Sequence, residues 1–233
     1  FINLWEKGYF KSVAIRHVGQ SAVQTKYVTD IEIPLPPLRE QKKIAEILST
    51  VDQAIEKVDQ AIEKTQKLKK GLMQTFLTKG IQKGRFKIQD FKETEIGRIP
   101  KDWEVKKLRD VITLCQYGLS IQMGQEGQYP VVKMDDIVNG YVVTDKVKYV
   151  NLDKRTFENF KLEKGDILFN RTNSYELVGR TGIFTLDGDY VFASYLIRLK
   201  PHYKMVNSNY LTFYLIFSGE KLRQLATRAV HQA

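Results

Sequence analysis

The clearest pattern of apolar positions along the chain lies between residues 38 and 80. Pro36 and Pro37 end an extended segment, and the residues that follow as far as Lys79 include no proline and one glycine, Gly71. Apolar residues recur there mainly in alternating steps of four and three, at Ile44, Leu48, Val51, Ile55, Val58, Ile62, Leu72 and Phe76. This is the period of a coiled coil. It predicts one helix over residues 38–80, about 60 Å long.

The apolar seam of this helix is two positions wide in each heptad, so a single helix cannot bury it alone. The heptad that begins at Val51 is repeated residue for residue from Val58, and charged residues such as Glu56, Lys57 and Lys64 flank the seam. One helix of an ordinary helical core is the alternative. The length and the period favour a spacer helix that pairs with a second long helix.

The pattern differs on the two sides of the helix. Residues 1–37 predict an amphipathic helix over 1–18, then a loop and a short strand before the prolines, and they are too few to bury their own core. We therefore predict that they are the tail of a domain. Residues 81–99 are predicted to be a linker. From residue 100 apolar runs alternate with Asn, Gly and Asp turns, which predicts a strand at Trp103–Leu108, further strands and one or two helices at the end.

Charge changes this picture by pointing to a partner. The chain has 37 Lys and Arg against 27 Asp and Glu, a net charge of +10. One basic run contains no acidic residue and comprises Lys64, Lys67, Lys69, Lys70, Lys79, Lys83, Arg85 and Lys87. Complementing the helix dipole explains two or three of these lysines at most. The whole run favours binding to a polyanion, most simply nucleic acid, over binding to a membrane surface.

Composition and motifs exclude several classes of function. The single Cys115 excludes an internal disulfide framework, and the three histidines form no metal-ligand spacing. No adenine methyltransferase motif, glycine-rich cofactor loop or phosphate-binding loop is present. The lack of catalytic motifs predicts a non-enzymatic protein. No apolar run spans a bilayer, no secretory leader is visible and the single cysteine fits a reducing cytosol, so we expect a cytoplasmic protein. An enzyme of DNA metabolism is a further alternative, for which the catalytic residues are lacking.

Four motifs carry a resemblance to a known family. They read IPLPPLREQKKIAEIL from Ile33, LKKGLMQTFLTKGI from Leu68, IGRIPKDWEVKKLRDV from Ile96 and GDILFNRTNSYELVGRTGIF from Gly165, with SYLIRL following from Ser194. Together these motifs resemble the DNA-specificity (S) subunit of Type I restriction–modification systems, over nearly the whole chain.

The resemblance implies an α+β fold with a β-rich target-recognition domain attached to a long coiled-coil helix. In that family two such domains, joined by two antiparallel helices, each read half of a bipartite site in double-stranded DNA. Modification (M) subunits dock on them and carry S-adenosylmethionine, and restriction (R) subunits use ATP and Mg. This chain, with one helix, would supply residues 100–233 as a recognition domain that lacks its final segment. It would be non-catalytic, with no cofactor of its own.

DNA reading requires hydrogen-bonding side chains on loops that a rigid sheet positions. The first predicted loop holds Asn170, Arg171, Thr172, Asn173 and Ser174, whose arginine can bond guanine and whose asparagines can bond adenine. A plain Asn- and Ser-rich turn is the alternative. The second predicted loop, residues 116–120, holds Tyr117 and Ser120, and Tyr117 could stack on a base or bond a phosphate, with a core tyrosine as the alternative. Lys133 and Arg180 are predicted phosphate contacts, with ordinary surface charge as the alternative, and Arg16 and Gln20 are predicted to lie beside the same face of a completed domain.

The end of the chain echoes its beginning. Phe213 aligns with Phe1, and Arg228 with Arg16. Together with the unpaired seam, the echo predicts an antiparallel homodimer in which residues 1–37 of each copy complete the domain of the other. Such a dimer would read a palindromic, interrupted site. The alternative function is a coiled-coil adaptor that binds proteins without DNA specificity.

Overall fold

The computed structural model describes residues 8–17, 20–82, 85–86, 90–172 and 177–231. The chain divides into two compact units, Phe1–Thr65 and Gln66–Ala233. Helices and sheets are both present, with one long helix, so the predicted α+β fold class is confirmed. No helix in the described ranges combines the length and the apolar character that a membrane span needs.

The start of the chain differs from the predicted single helix. Its elements are short: α1 (Tyr9–Val13), β1 (Ile15–His17), β2 (Gln20–Ala22) and α2 (Thr25–Thr29). The helix ends early because Ala14 adopts an extended backbone, with φ −74° and ψ 128°, and leads into the antiparallel pair of β1 and β2. The predicted strand before the prolines is also wrong, since α2 replaces its start and residues 31–37 form no regular element.

The long helix α3 (Leu38–Lys79) confirms the helix predicted from the seam. Glu40 lies in its first turn and Lys79 in its last, where each charge complements the helix dipole. Gly80 follows in a left-handed conformation, with φ 66°, and its N–H donates to the Phe76 carbonyl at 3.1 Å. A residue without a side chain ends a helix in this way at little cost. The helix end is therefore encoded locally.

The seam of α3 is exposed in the single chain. The exposed fraction of its eight side chains ranges from 37% at Leu72 to 58% at Leu48 and Val58. Apolar side chains of this size usually lie in a core, and a regular row of exposed ones marks an interaction surface. The pairing of two such helices stays a prediction.

The segment predicted as a linker contains two antiparallel strand pairs. They are formed by β3 (Ile81–Gln82) with β4 (Arg85–Phe86), and by β5 (Phe91–Lys92) with β6 (Ile99–Pro100). The strand predicted around Trp103 is wrong. Residues 103–107 are irregular and lead into a 3-10 turn, Leu108–Asp110.

The first strand of the β-rich region, β7 (Ile112–Tyr117), lies where no strand was predicted. The other predicted strands are confirmed as β8 (Tyr129–Val132), β9 (Ile137–Val138), β10 (Tyr141–Val142), β11 (Lys148–Val150), β12 (Ile167–Asn170), β13 (Thr181–Ile183), β14 (Val191–Phe192) and β15 (Leu196–Pro201). Six strands form one sheet in the order β7-β15-β12-β13-β10-β9, and three form a second in the order β11-β8-β14.

Two apolar clusters hold these sheets together. The larger one includes Val132, Leu168, Phe184 and Phe192, each at most 1% exposed. The second forms around Phe157, whose ring stacks on Tyr129 with centroids 4.0 Å apart. Burial on this scale provides the main stabilising free energy of the domain and gives its loops a rigid base.

Two helices complete the domain. Phe157 lies on α4 (Lys154–Phe160), a helix that the sequence reading missed, although Asp153 is a recognisable N-cap that accepts from the Thr156 N–H at 3.0 Å. The closing segment is a single helix, α5 (Ser208–His231), where one or two were predicted.

Candidate nucleic-acid interface

Most of the candidate loops meet at one end of the six-stranded sheet, called here the loop end. Strand β7 ends there at Tyr117 and β12 ends there at Asn170, while β15 begins at Leu196 and β13 at Thr181. The antiparallel registers of these four strands place the termini side by side. Because β10 runs parallel to β13, the turn that precedes Tyr141 lies at the same end.

Arg171 and Tyr117 bring the two predicted recognition loops together. The guanidinium carbon of Arg171 lies 4.8 Å from the centroid of the Tyr117 ring, and its Nε donates to the Ser194 carbonyl at 3.1 Å. Tyr117 is 62% exposed and Arg171 is also exposed. A cation stacked on an aromatic ring and fixed by one hydrogen bond is restricted in orientation while its other donors face solvent. A side chain held in this way can present donors to an acceptor outside the protein.

Gly118 makes the close approach of the loops possible. Its N–H donates to the Leu196 carbonyl at 3.1 Å, and a Cβ at this position would overlap the carbonyl oxygens of Phe192 and Ala193. The following residue, Leu119, donates to the Phe192 carbonyl at 2.8 Å. These contacts hold residues 117–120 against residues 192–195 and leave the candidate Ser120 exposed.

The prediction that Asn170 bonds adenine must be corrected, because the side chain is fully buried. Its Nδ2 donates to the carbonyls of Leu177 at 2.8 Å and Thr172 at 3.2 Å. Asn170 therefore shapes the loop instead of reaching out of it. Thr172 is half-buried, and Asn173 and Ser174 lie outside the described residues.

Lys133 is also corrected from a phosphate contact to an internal ion pair. Its Nζ lies 3.0 Å from Asp136 Oδ1 and donates to the Lys146 carbonyl at 2.9 Å, and only 16% of the side chain is exposed. An ammonium group that is already paired and largely desolvated is not available to a phosphate.

The remaining candidates lie in different places. Arg180 is half-buried at the loop end, where its carbonyl accepts from the Asn170 N–H at 2.8 Å. Arg16 and Gln20 lie on the paired strands β1 and β2 of the other unit, and their side chains are outside the described part. The described residues contain no group of His, Cys, Asp and Glu side chains that could hold a metal ion.

Sequence reasoning missed the buried arginine that supports the loop end. Arg198 pairs across β15 and β7 with Gln116, donates to its Oε1, and lies 3.7 Å from Asp166 Oδ2. Burial lowers the pKa of Arg198 and raises the pKa of Asp166. The available signal was an arginine in an otherwise apolar strand, SYLIRL. Through Gln116, Arg198 anchors β7, the strand that ends at Tyr117.

Similarity to known proteins identifies the family of this chain. The sequence profile described as "Type I restriction modification DNA specificity domain" matches residues 6–66 and 100–233. The chain belongs to that family. The sequence-based resemblance is thereby confirmed, and so, at the level of the family, is the prediction of a specificity subunit without catalysis of its own.

Two relatives of this chain are named as specificity subunits of Type I restriction enzymes. The chain is 36% identical over 171 residues to the Type I restriction enzyme MjaVIII specificity subunit of Methanocaldococcus jannaschii, covering 72% of this chain and 39% of that protein. It is 27% identical over 219 residues to the EcoBI specificity subunit of Escherichia coli, covering 88% of this chain and 44% of that protein. The chain thus spans less than half the length of these relatives.

A solved structure shares the fold. It comes from work on complex assembly and conformational transition of the type I R-M system, with a TM-score of 0.50 and 22% identity. The alignment covers 91% of this specificity-family chain and 50% of the other. At this identity the likeness establishes the fold alone.

Proposed function

We propose that this chain recognises a specific sequence in double-stranded DNA and reads one half of a bipartite site with the loop end of its recognition domain. The observation that carries the proposal is the contact of Arg171 with Tyr117, which joins two loops on a rigid sheet. Membership of a DNA specificity family and the net charge of +10 support it.

Base recognition is assigned to Arg171. Its Nε is held by the Ser194 carbonyl and its plane lies over Tyr117, so the terminal nitrogens are oriented in advance. An arginine of this kind donates two bonds to O6 and N7 of guanine in the major groove, and a good bidentate pair contributes about 1–3 kcal/mol of discrimination. Tyr117 and Ser120 would bond nearby phosphates or base edges.

The partners are proposed from the family. Modification subunits with S-adenosylmethionine would dock on the chain, and restriction subunits with ATP and Mg would complete the complex. The exposed seam of α3, with side chains such as Val51, Ile55 and Val58 about half exposed, supports pairing with a second long helix. We propose an antiparallel homodimer, which gives symmetric half-sites.

The test of DNA reading is selection of bound duplexes from a randomised pool, with purified modification subunit present. The wild-type chain is expected to enrich a defined sequence, and Arg171→Ala to relax the preference at one base pair. Tyr203→Ala is the matched control, because Tyr203 is 82% exposed and follows the opposite end of β15. Equal enrichment of all sequences by the wild-type chain would contradict the proposal and favour a protein-binding adaptor.

Assembly is tested by size-exclusion chromatography with light scattering. We expect a dimer that takes up two modification subunits, and expect Val58→Asp to give monomers because it places charge in the seam. Lys57→Asp changes charge beside the seam and should leave the dimer intact. A wild-type monomer at micromolar concentration would contradict the homodimer.

A further inference from the structure

An open groove of about 410 Å³ lies in the second compact unit, away from the loop end. Trp103, Glu104 and Tyr210 line it, and it is called here the aromatic groove. Tyr210 lies in the first turn of α5, whose first residue, Ser208, would be 3.3 Å from a Cβ placed at Gly165, just before β12. Because β12 ends at the loop end, its start and the groove lie at the opposite end of the sheet. DNA at the loop end therefore leaves the groove open to a protein partner.

The aromatic groove is formed where α3 ends. A Cβ at Gly80 would lie 3.1 Å from Cζ2 of Trp103, so the indole ring packs against the residue that ends α3. Tyr210, on α5, is 43% exposed. Glu104 pairs with Lys106 at 3.0 Å, so the groove offers aromatic surface rather than a spare charge. Such a surface favours an apolar segment of a partner.

A segment of matching chemistry precedes α3. Residues 33–38 read IPLPPL and are called here the proline-rich segment, in which Pro34 and Pro37 have the P-x-x-P spacing. Its apolar side chains are more exposed than those of the seam, with 70% at Ile33, 76% at Leu35 and 65% at Leu38. Each proline fixes its φ, so the segment is ordered in advance and loses little entropy on binding. Proline-rich segments of this spacing dock in aromatic-lined grooves.

Antiparallel pairing of two α3 helices brings the segment of one copy to the groove of the other. In the register that overlaps the whole seam, Ile44 of one copy lies opposite Phe76 of its partner. Leu38 begins α3 six residues before Ile44, so its counterpart lies six residues beyond Phe76, at Gln82. This position is just past the end of α3, where the aromatic groove lies.

Charge supports the same pairing. Residues 29–38 contain Asp30 and Glu32, both exposed, and no basic residue. Residues 101–109, around Trp103, carry four basic side chains against two acidic ones, and Lys101 and Lys107 among them are exposed. Opposite charges on two surfaces steer their encounter and disfavour other pairings. The chain therefore carries both the groove and a segment that complements it.

We propose that the proline-rich segment of one copy docks in the aromatic groove of a second copy, and that this contact fixes the register of the two helices. The proposal rests on the antiparallel homodimer proposed above. The seam alone leaves the register open, because the heptad from Val51 is repeated residue for residue from Val58. A slip by one heptad moves the helices by about 10 Å, or about three base-pair steps of duplex DNA. The contact therefore sets the separation of the two half-sites.

Disulfide trapping tests the contact in the full chain. Cys115 is the only cysteine, so Cys115→Ser gives a background for introducing Leu35→Cys and Tyr210→Cys together. We expect a covalent dimer under mild oxidation. Leu35→Cys with Ser120→Cys is the matched control and should stay uncrosslinked, because Ser120 is exposed at the loop end. Equal yields for the two pairs, or no covalent dimer from a chain that light scattering shows to be dimeric, would overturn the docking.

The affinity of the dimer is a second measurement. Leu35→Asp changes a side chain that is 76% exposed in the single chain, so the variant should still fold. Because a symmetric dimer buries two such leucines, we expect its dissociation constant to rise at least about tenfold. Ile121→Asp changes an exposed apolar residue at the loop end and should leave the dissociation constant unchanged. Equal constants for the two variants contradict the docking.

The selection experiment measures the effect on register. The wild-type dimer should enrich half-sites at one separation, and Leu35→Asp should enrich them at separations that differ by about three base pairs. A single, unchanged separation for Leu35→Asp would refute the role of the contact in register.

The docking and the proposed function fail in different measurements. A wild-type monomer in light scattering overturns the homodimer and the docking together, while base preference in the selection experiment still decides DNA recognition. A dimer with base preference but without the trapped contact overturns the docking alone. Loss of the modification subunit from Tyr210→Ala, with unchanged dimer affinity, would assign the groove to that subunit and overturn docking by a second copy.

Discussion

Replacing Arg198 by methionine is expected to destabilise the recognition domain strongly. Arg198 is 5% exposed, and it donates to the carbonyls of Lys161 at 2.6 Å and Asn159 at 2.9 Å. Its Nη1 lies 3.7 Å from Oδ2 of Asp166, which is 2% exposed. Methionine fills a similar volume without a charge or a donor, so the carboxylate is left buried without its counter-ion.

The size of the expected loss in the free energy of unfolding follows from the burial of Asp166. Removing one partner of a buried ion pair typically costs about 3–5 kcal/mol, because the other charge stays desolvated. Asp166 keeps one hydrogen bond, from the Glu163 N–H at 3.0 Å, so we expect a loss near the lower limit, about 3 kcal/mol at neutral pH. A domain is stable by about 5–15 kcal/mol in total, so the loss is easily measured.

The free energy of unfolding lost in Arg198→Met should depend on pH. Burial raises the pKa of Asp166, and the charge of Arg198 opposes that rise. Without Arg198 the pKa rises further, so the folded variant binds a proton more readily than the unfolded chain does. Its free energy of unfolding therefore falls as pH rises through the folded-state pKa of Asp166. The difference between the variant and the wild type should narrow at acid pH.

Urea unfolding measures these quantities, with Trp103 fluorescence as the signal in a Trp5→Phe background. Adding Asp166→Asn to Arg198→Met removes the unpaired charge and should recover part of the loss, with a coupling energy of about 1–3 kcal/mol. A loss below about 1 kcal/mol for Arg198→Met, equal at neutral and acid pH, would refute the reasoning that the buried charge dominates.

Three further predictions concern the loops and α4. Asn170→Ala removes two buried hydrogen bonds, so it should cost about 1–3 kcal/mol in urea unfolding and weaken DNA binding by loosening the loop that carries Arg171. Gly118→Ala places a Cβ against two carbonyl oxygens and should cost about 1–3 kcal/mol. Asp153→Ala removes the N-cap of α4 and should lower the Tm. Hydrogen bonds from Thr156 lower the pKa of Asp153, so this stabilisation exists above the unfolded-state pKa and is lost as pH falls through the folded-state pKa.

Each of these predictions has its own control. Asn159→Ala removes an exposed amide on α4 and should leave the free energy of unfolding almost unchanged. If Asn170→Ala lowers that free energy no more than Asn159→Ala does, the buried hydrogen bonds of Asn170 do not stabilise the domain. Gly71→Ala adds a Cβ where no atom lies within 4 Å, so it should not destabilise the protein. If Gly118→Ala proves as stable as this control, residue 118 does not approach the carbonyl oxygens of Phe192 and Ala193 as closely as described. Asp153→Ser keeps a capping oxygen, and a Tm as low as that of Asp153→Ala would show that the cap is unimportant.

The sequence by itself determined the long helix, most of the strands and the family. Each of these is encoded within short stretches of chain. The period of the seam, the prolines before Leu38 and Gly80 after Lys79 define α3 locally. Alternating apolar runs and turn residues likewise define most strands. α4 was missed because its seven residues carry less than two turns of pattern, which the cap at Asp153 alone could have revealed.

The tertiary structure alone decided which candidate side chains can meet DNA. Asn170 and Arg171 are neighbours in sequence, yet one points into the loop and the other lies over Tyr117, because the order β7-β15-β12 brings distant segments together. Lys133 is drawn into a pair with Asp136 by the turn between them. Sheet order and burial arise from contacts between residues far apart in the chain, whereas periodicity records only local preferences. The contacts of Arg198 with Gln116 and Asp166 therefore became visible only in the folded domain.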